Sequence, residues 1–126
     1  MNRSILIVDD EITTREMLRM LLELSGFVAE EAEDGLEALA KVKQHRYQAM
    51  ILDVMMPRLD GLATCQRLRA NPETADLFVL MLSGGNYRDR GLAAGANLYM
   101  EKPMDPHALI AALESALQPQ AVASIG

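Results

Sequence analysis

The chain has 126 residues, half of them hydrophobic, which is enough for one domain with its own core. A formal net charge of -6 argues against nonspecific nucleic-acid binding, which needs clustered Lys and Arg. The longest apolar runs reach about six residues, far short of the ~20 a membrane helix requires.

The lone Cys65 excludes an internal disulfide and fits a reducing compartment. Met1-Asn2-Arg3-Ser4 runs directly into an apolar stretch, so no signal peptide is expected and the expected location is the cytoplasm. With no Trp and two Phe, the nine Met residues are expected to fill part of the core.

Ile5-Leu6-Ile7-Val8 is wholly apolar and rich in β-branched residues, which predicts a buried first strand ending in Asp9-Asp10-Glu11. A helix follows from about Ile12 to Leu24. Met17, Met20, Leu21 and Leu24 share one face at i, i+3, i+4 and i+7, and Ser25-Gly26 stops it. Phe27 to Glu31 predicts a short second strand. Asp34-Gly35 opens a second helix with Leu36, Leu39 and Ala40 on one face, and Gln44-His45-Arg46 ends it.

Tyr47 to Leu52 is a mostly apolar run that predicts a third buried strand, and it ends in Asp53. Pro57 and Gly61 mark the loop after it. A third helix then turns Leu62, Cys65 and Leu68 inward, until Asn71-Pro72 breaks it. Leu77 to Leu82 predicts a fourth strand ending in Ser83-Gly84-Gly85. A short, weak helix covers Tyr87 to Ala94. Asn97 to Met100 is a brief fifth strand, followed by the turn Glu101-Lys102-Pro103. Asp105 caps the last helix, with Pro106 at its first position and Leu109, Leu113 and Leu117 along it.

Five β-α units in strict alternation predict an α/β fold. Strands apolar on both faces need helices on both sides, so the simplest arrangement is a doubly wound three-layer sandwich around a parallel sheet. In such a sheet the carboxyl ends of the strands lie along one edge, where ligands bind. Asp9, Asp10, Asp53, Ser83 and Lys102 all fall there. Three carboxylates in one crevice repel one another and need a cation or protons. Oxygen-only donors suit a hard divalent ion, Mg²⁺ before Ca²⁺. Lys102 offers a compact positive charge and Ser83 a hydroxyl donor. Metal, ammonium and hydroxyl around one carboxylate suit the charge that develops on a transferred phosphoryl group, and an Asp can be the nucleophile in that chemistry.

Five motifs stand in this order: Ile7-Val8-Asp9-Asp10-Glu11, Leu52-Asp53 through Asp60-Gly61, Leu82-Ser83-Gly84, Gly95-Ala96-Asn97-Leu98-Tyr99 and Lys102-Pro103. Together, at this spacing, they resemble the receiver domain of two-component response regulators, over about Ser4 to Leu117. The resemblance implies a flavodoxin-like five-stranded parallel sheet of order 2-1-3-4-5 with five helices. It implies a receiver over residues 1–118 and a tail or linker over 119–126.

Residue by residue, the resemblance implies that Asp53 accepts the phosphoryl group. Asp10 would bind Mg²⁺ (or Mn²⁺) directly, Asp9 mostly through water, and Met55 through its backbone carbonyl. Ser83, Gly84 and Lys102 would bind phosphoryl oxygens, with Ser83 and Tyr99 as the switch pair. The implied donor is a sensor histidine kinase or phosphotransfer protein. The implied recipient is a downstream protein, a fused output domain or a second copy, on the face formed by the fourth helix, fifth strand and fifth helix. Neither nucleic acid nor membrane is an implied direct partner. The resemblance implies a signalling module whose only catalysis is its own phosphoryl transfer and dephosphorylation. The span from Ser83 to Tyr99 is about three residues shorter than the resemblance leads one to expect, which implies a truncated or distorted fourth helix.

Other readings fit less well. An aspartyl-phosphate phosphohydrolase would carry a second Asp two residues past its nucleophile, where this chain has Met55. A flavin carrier would want a Ser/Thr/Gly-rich phosphate loop after the first strand, where Asp9-Asp10-Glu11 would repel a phosphate without a metal. A degenerate receiver used only for protein interaction would not need the acid pair, Asp53, Ser83 and Lys102 together. Asp60 reads as a helix cap, and His45 and His107 as surface residues.

Overall fold

The apolar runs form the central layer of the molecule. In the computed structural model, which describes residues 3–118, the elements alternate as β1 (Ser4–Val8), α1 (Ile12–Leu24), β2 (Val28–Ala32), α2 (Gly35–Gln44), β3 (Ala49–Asp53), α3 (Gly61–Ala70), β4 (Phe78–Ser83), α4 (Arg88–Ala93), β5 (Leu98–Glu101) and α5 (Pro106–Leu117). All strand pairs are parallel, in the order β2-β1-β3-β4-β5. This is the doubly wound, flavodoxin-like arrangement, with its switch point between β1 and β3. The expected tail, 119–126, lies outside the described residues.

Successive strand side chains point to opposite faces, so each strand feeds two cores. Ile5, Ile7, Ile51, Leu80 and Leu82 pack with Leu18 and Leu22 of α1 and with Leu109 and Leu113 of α5. Leu6, Val8, Met50, Leu52 and Met81 pack on the other side with Ala38 of α2 and with Cys65 and Leu68 of α3. Met50 and Met81 are fully buried, whereas Met20 and Met55 are exposed, so methionine fills the core only in part.

Two helix faces differ from expectation. On α1 the fully inward residues are Arg15, Leu18 and Leu22; of the expected face, Met17 and Leu21 are half-buried against the core, while Met20 and Leu24 are exposed. Arg15 takes an inward place because it finds hydrogen-bond acceptors there. On α2, Gly35 and Ala38 face in and Leu36 and Ala40 face out. The small residues let α2 sit against Thr64 and Leu59, where a Cβ on Gly35 would have no room. The helix α4 has only six residues and no side-chain cap. No helix among the described residues is long and apolar enough to cross a membrane.

Strand register sets the site. Val8 pairs with Leu52, so the next residues, Asp9 and Asp53, emerge side by side. Leu82 pairs with Asp53, which places Ser83 one step beyond it. Ser83 pairs with Glu101, so Lys102 comes next on the far side.

Candidate active site

The three carboxylates converge. One oxygen each of Asp9, Asp10 and Asp53 lies within 4.8 Å of the others. Asp9 and Asp53 are buried and Asp10 is exposed. Asp9 also serves as a local cap, accepting from the Glu11 amide at 2.9 Å. Lys102 reaches into the cluster, its Nζ 2.9 Å from Asp9 Oδ2 and 3.4 Å from Asp53 Oδ1. The Lys102–Pro103 peptide bond is cis.

One ammonium does not balance three carboxylates. Burial, reinforced by the charges of Asp9 and Asp10, pushes the Asp53 carboxyl up to about 6, although Lys102 pulls the other way. Burial of Lys102 would lower its own pKa, but the hydrogen bond to Asp9 and the attraction of Asp53 outweigh it and hold the ammonium above its ordinary value. An all-oxygen donor set carrying excess negative charge, with one carboxylate open to solvent, fits a hard divalent cation.

Met55 stands two residues past Asp53 in an exposed loop. That loop folds back through Gly61, whose amide donates to the Val54 carbonyl at 2.8 Å. A Cβ at Gly61 would run into the Asp53 carbonyl oxygen. Asp60 caps α3 by accepting from the Ala63 amide, as its spacing implies.

Ser83 is fully buried, and its Oγ accepts from the Gly85 amide at 2.9 Å. Gly84 is exposed, with open space where a side chain would stand. Tyr99 points inward and is 4% exposed. Its hydroxyl donates to the Gly85 carbonyl at 3.0 Å and accepts from the Tyr87 amide at 3.1 Å. Gly91 of α4 leans against it: a Cβ there would lie 2.7 Å from Met81 Sδ and 3.2 Å from Tyr99 Cδ1. Ser83 and Tyr99 therefore meet at one residue, Gly85.

Two arginines were not singled out by their sequence positions. Arg15 donates through Nη1 to the Asp9 carbonyl at 2.7 Å and through Nε to Glu31 Oε1 at 2.9 Å. The available signal was a cation in helical register with Leu18 and Leu22, a stripe that also holds Arg19. Arg58 adopts φ 68 and donates through Nε to Asp34 Oδ2 at 2.8 Å, latching the β3–α3 loop to the start of α2. A left-handed Arg carries no sequence signal, since Gly or Asn is the usual occupant.

The topology and the site define a doubly wound α/β domain with an acidic, lysine-bearing site at the strand ends. The chain belongs to the response regulator receiver domain family, whose model matches residues 5–114. Members of that family act as signalling proteins phosphorylated by histidine kinases. The response regulator MprA of Mycobacterium ulcerans (strain Agy99) is 41% identical over 119 residues, covering 94% of this chain and 51% of that protein. The chain thus spans about half the length of the curated relatives it matches.

Among solved structures, the chemotaxis protein CheY4 of Vibrio cholerae superposes with a TM-score of 0.85 at 32% identity, covering 91% of this chain and 98% of that one. The receiver domain of the sensor histidine kinase PA1611 of Pseudomonas aeruginosa PAO1 superposes with a TM-score of 0.85 at 25% identity, covering 93% of this chain and 98% of that one. That structure holds a magnesium ion in its active-site cleft.

Proposed function

We propose that Asp53 accepts a phosphoryl group from a phosphohistidine of a kinase or phosphotransfer protein, and that the resulting acyl phosphate resets the α4 region. The observation that carries this reading is the meeting of Asp53 with Lys102 at 3.4 Å inside a cluster of three carboxylates. Asp53 Oδ attacks phosphorus, the P–N bond to the imidazole breaks, and the leaving nitrogen takes up a proton. Hydrolysis later breaks the new P–O bond and returns the carboxylate with free phosphate.

Asp10, Asp9, Asp53 and the Met55 carbonyl would hold Mg²⁺, which when bound neutralises carboxylate and phosphoryl charge. Mn²⁺ suits the same oxygen donors. Lys102 leaves its contact with the carboxylates to meet a phosphoryl oxygen, and Ser83 and Gly84 offer a hydroxyl and an amide to another. Each is a donor aimed at charge that grows during transfer.

The switch reading rests on Gly85. Turning Ser83 toward a phosphoryl oxygen gives up its bond to the Gly85 amide, while Tyr99 keeps its hold on the Gly85 carbonyl. The loop before α4 then moves relative to Tyr99, and a local charge change becomes a change of surface. Output follows on the α4–β5–α5 face, where Leu92 is exposed, toward a downstream protein, a fused output domain or a second copy. The reading takes residues 1–118 as the receiver and 119–126 as tail or linker, acting in the cytoplasm without direct nucleic-acid or membrane contact.

A phosphate-affinity gel after incubation with acetyl phosphate and Mg²⁺ tests this. The wild-type chain is expected to shift and Asp53→Asn to remain unshifted. An equal shift in both would move the acceptor elsewhere.

A further inference from the structure

The carboxylate cluster has one member without an anchor of its own. Asp9 is held through both oxygens, by the Glu11 amide and by Lys102. Asp53 faces Lys102. The Asp10 side chain has no hydrogen bond or ion pair among the described residues, yet one of its oxygens lies within 4.8 Å of the other two. Its aim comes from the backbone that carries it. The peptide joining Asp9 to Asp10 is gripped at its carbonyl oxygen by Arg15 Nη1, at 2.7 Å. That distance marks a strong, charge-assisted bond.

Arg15 is itself fixed. It is 9% exposed, on the inner face of α1, and its Nε donates to Glu31 Oε1 on β2 at 2.9 Å. Arg19 takes the other Glu31 oxygen at 3.3 Å. A chain of rigid contacts therefore runs from the edge strand β2 through Glu31 and Arg15 to the Asp9–Asp10 peptide. Groups that orient metal ligands from behind typically matter to metal affinity about tenfold or more.

We propose that Arg15 is a positioning residue for the divalent-cation site: it holds the Asp9–Asp10 peptide so that the Asp10 carboxylate faces Asp9 and Asp53. This rests on the reading of Asp10 as a direct metal ligand. It differs in sign from the effect of charge alone. A cation this close to the cluster opposes a bound Mg²⁺, so removing only its charge would tighten binding. Removing a grip that aims a ligand weakens it.

Calorimetric titration of Mg²⁺ into the 126-residue chain separates the cases. Arg15→Met keeps the bulk but loses both donors and charge, and its Mg²⁺ affinity is expected to fall about tenfold. Arg15→Lys keeps the charge but cannot reach both partners, and is expected to fall by less. Glu31→Gln loosens the far end of the chain of contacts and is expected to weaken binding as well. In the metal-free protein, the Asp10 backbone amide resonance is expected to shift in all three.

Tighter binding in Arg15→Met would show a charge effect and overturn the proposal. So would unchanged affinity together with a lowered melting temperature, which would make Arg15 a plain staple between helix and sheet. If Arg15→Met does not fold, unchanged affinity in both Arg15→Lys and Glu31→Gln overturns it. A wild-type chain that takes up no Mg²⁺ would remove the metal reading and this inference together, whereas equal binding by wild type and Arg15→Met removes the inference alone.

Discussion

Lys102 Nζ stands 3.4 Å from Asp53 Oδ1, although a whole strand, β4, separates the elements that carry them. Lys102 bonds Asp9 more closely, at 2.9 Å, so its ammonium bridges Asp9 and Asp53. Replacing it removes the only lysine in contact with the cluster among the described residues. Lys102→Met is expected to slow phosphorylation of Asp53 by about 100-fold, the usual cost of losing one aimed donor at a charge-developing centre. The rate of phosphoryl incorporation from acetyl phosphate measures this, and a change under about threefold would reassign Lys102 to packing.

The Asp53 carboxyl, at about 6 against an ordinary 3.8, makes a signed statement about stability. Between about pH 4 and pH 6 the metal-free folded chain keeps a proton that the unfolded chain gives up. Stability from this carboxyl is therefore present at low pH and lost as pH rises through about 6. Asp53→Asn removes that loss. The variant is expected to be more stable than wild type by about 1–2 kcal/mol at about pH 7.5 without divalent ions, after allowing for solvent screening, and no more stable at about pH 4. Urea melts at the two pH values decide it, and a gap that does not shrink on acidification would deny the titration.

Tyr99 holds the loop before α4 through its hydroxyl, donating to Gly85 and accepting from Tyr87. Tyr99→Phe keeps the ring against Gly91 and loses both bonds. It is expected to cost about 1–2 kcal/mol and to speed hydrogen exchange of the Tyr87 amide, while phosphorylation of Asp53 continues. Unchanged exchange at Tyr87 would mean that the hydroxyl does not restrain the loop.

Gly61 abuts the backbone of Asp53 itself. A methyl there would strike the Asp53 carbonyl and come within 2.9 Å of Val54 Cα, both parts of the main chain that cannot swing aside as a side chain can. Gly61→Ala is expected to destabilise the chain by about 2 kcal/mol or more and to reduce phosphorylation along with it. A denaturant midpoint equal to wild type would show that the β3–α3 loop yields freely.

The central strands and the residues at their carboxyl ends were legible in the sequence because a strand buried on both faces leaves a continuous apolar run, as over 5–8 and 79–82. The helix faces were less so. Apolar residues lie on several sides of α1, and the stripe through Met20 and Leu24 competes with the one through Leu18 and Leu22. What decides is Arg15, whose acceptors on Asp9 and β2 are supplied by the tertiary fold. On α2 the small residues Gly35 and Ala38 face inward because α3 and its loop come close, which periodicity does not reveal. The inward Tyr99 and the latch from Arg58 to Asp34 depend likewise on loops meeting across the site.

The most direct test of the central claim is intact-mass spectrometry of the chain after incubation with acetyl phosphate, with Mg²⁺ present or chelated. One added phosphoryl group is expected with Mg²⁺, little without it, and none in Asp53→Asn under either condition. A wild-type chain that gains no Mg²⁺-dependent adduct, or an Asp53→Asn chain that gains one, would contradict the assignment of Asp53 as the phosphoryl acceptor.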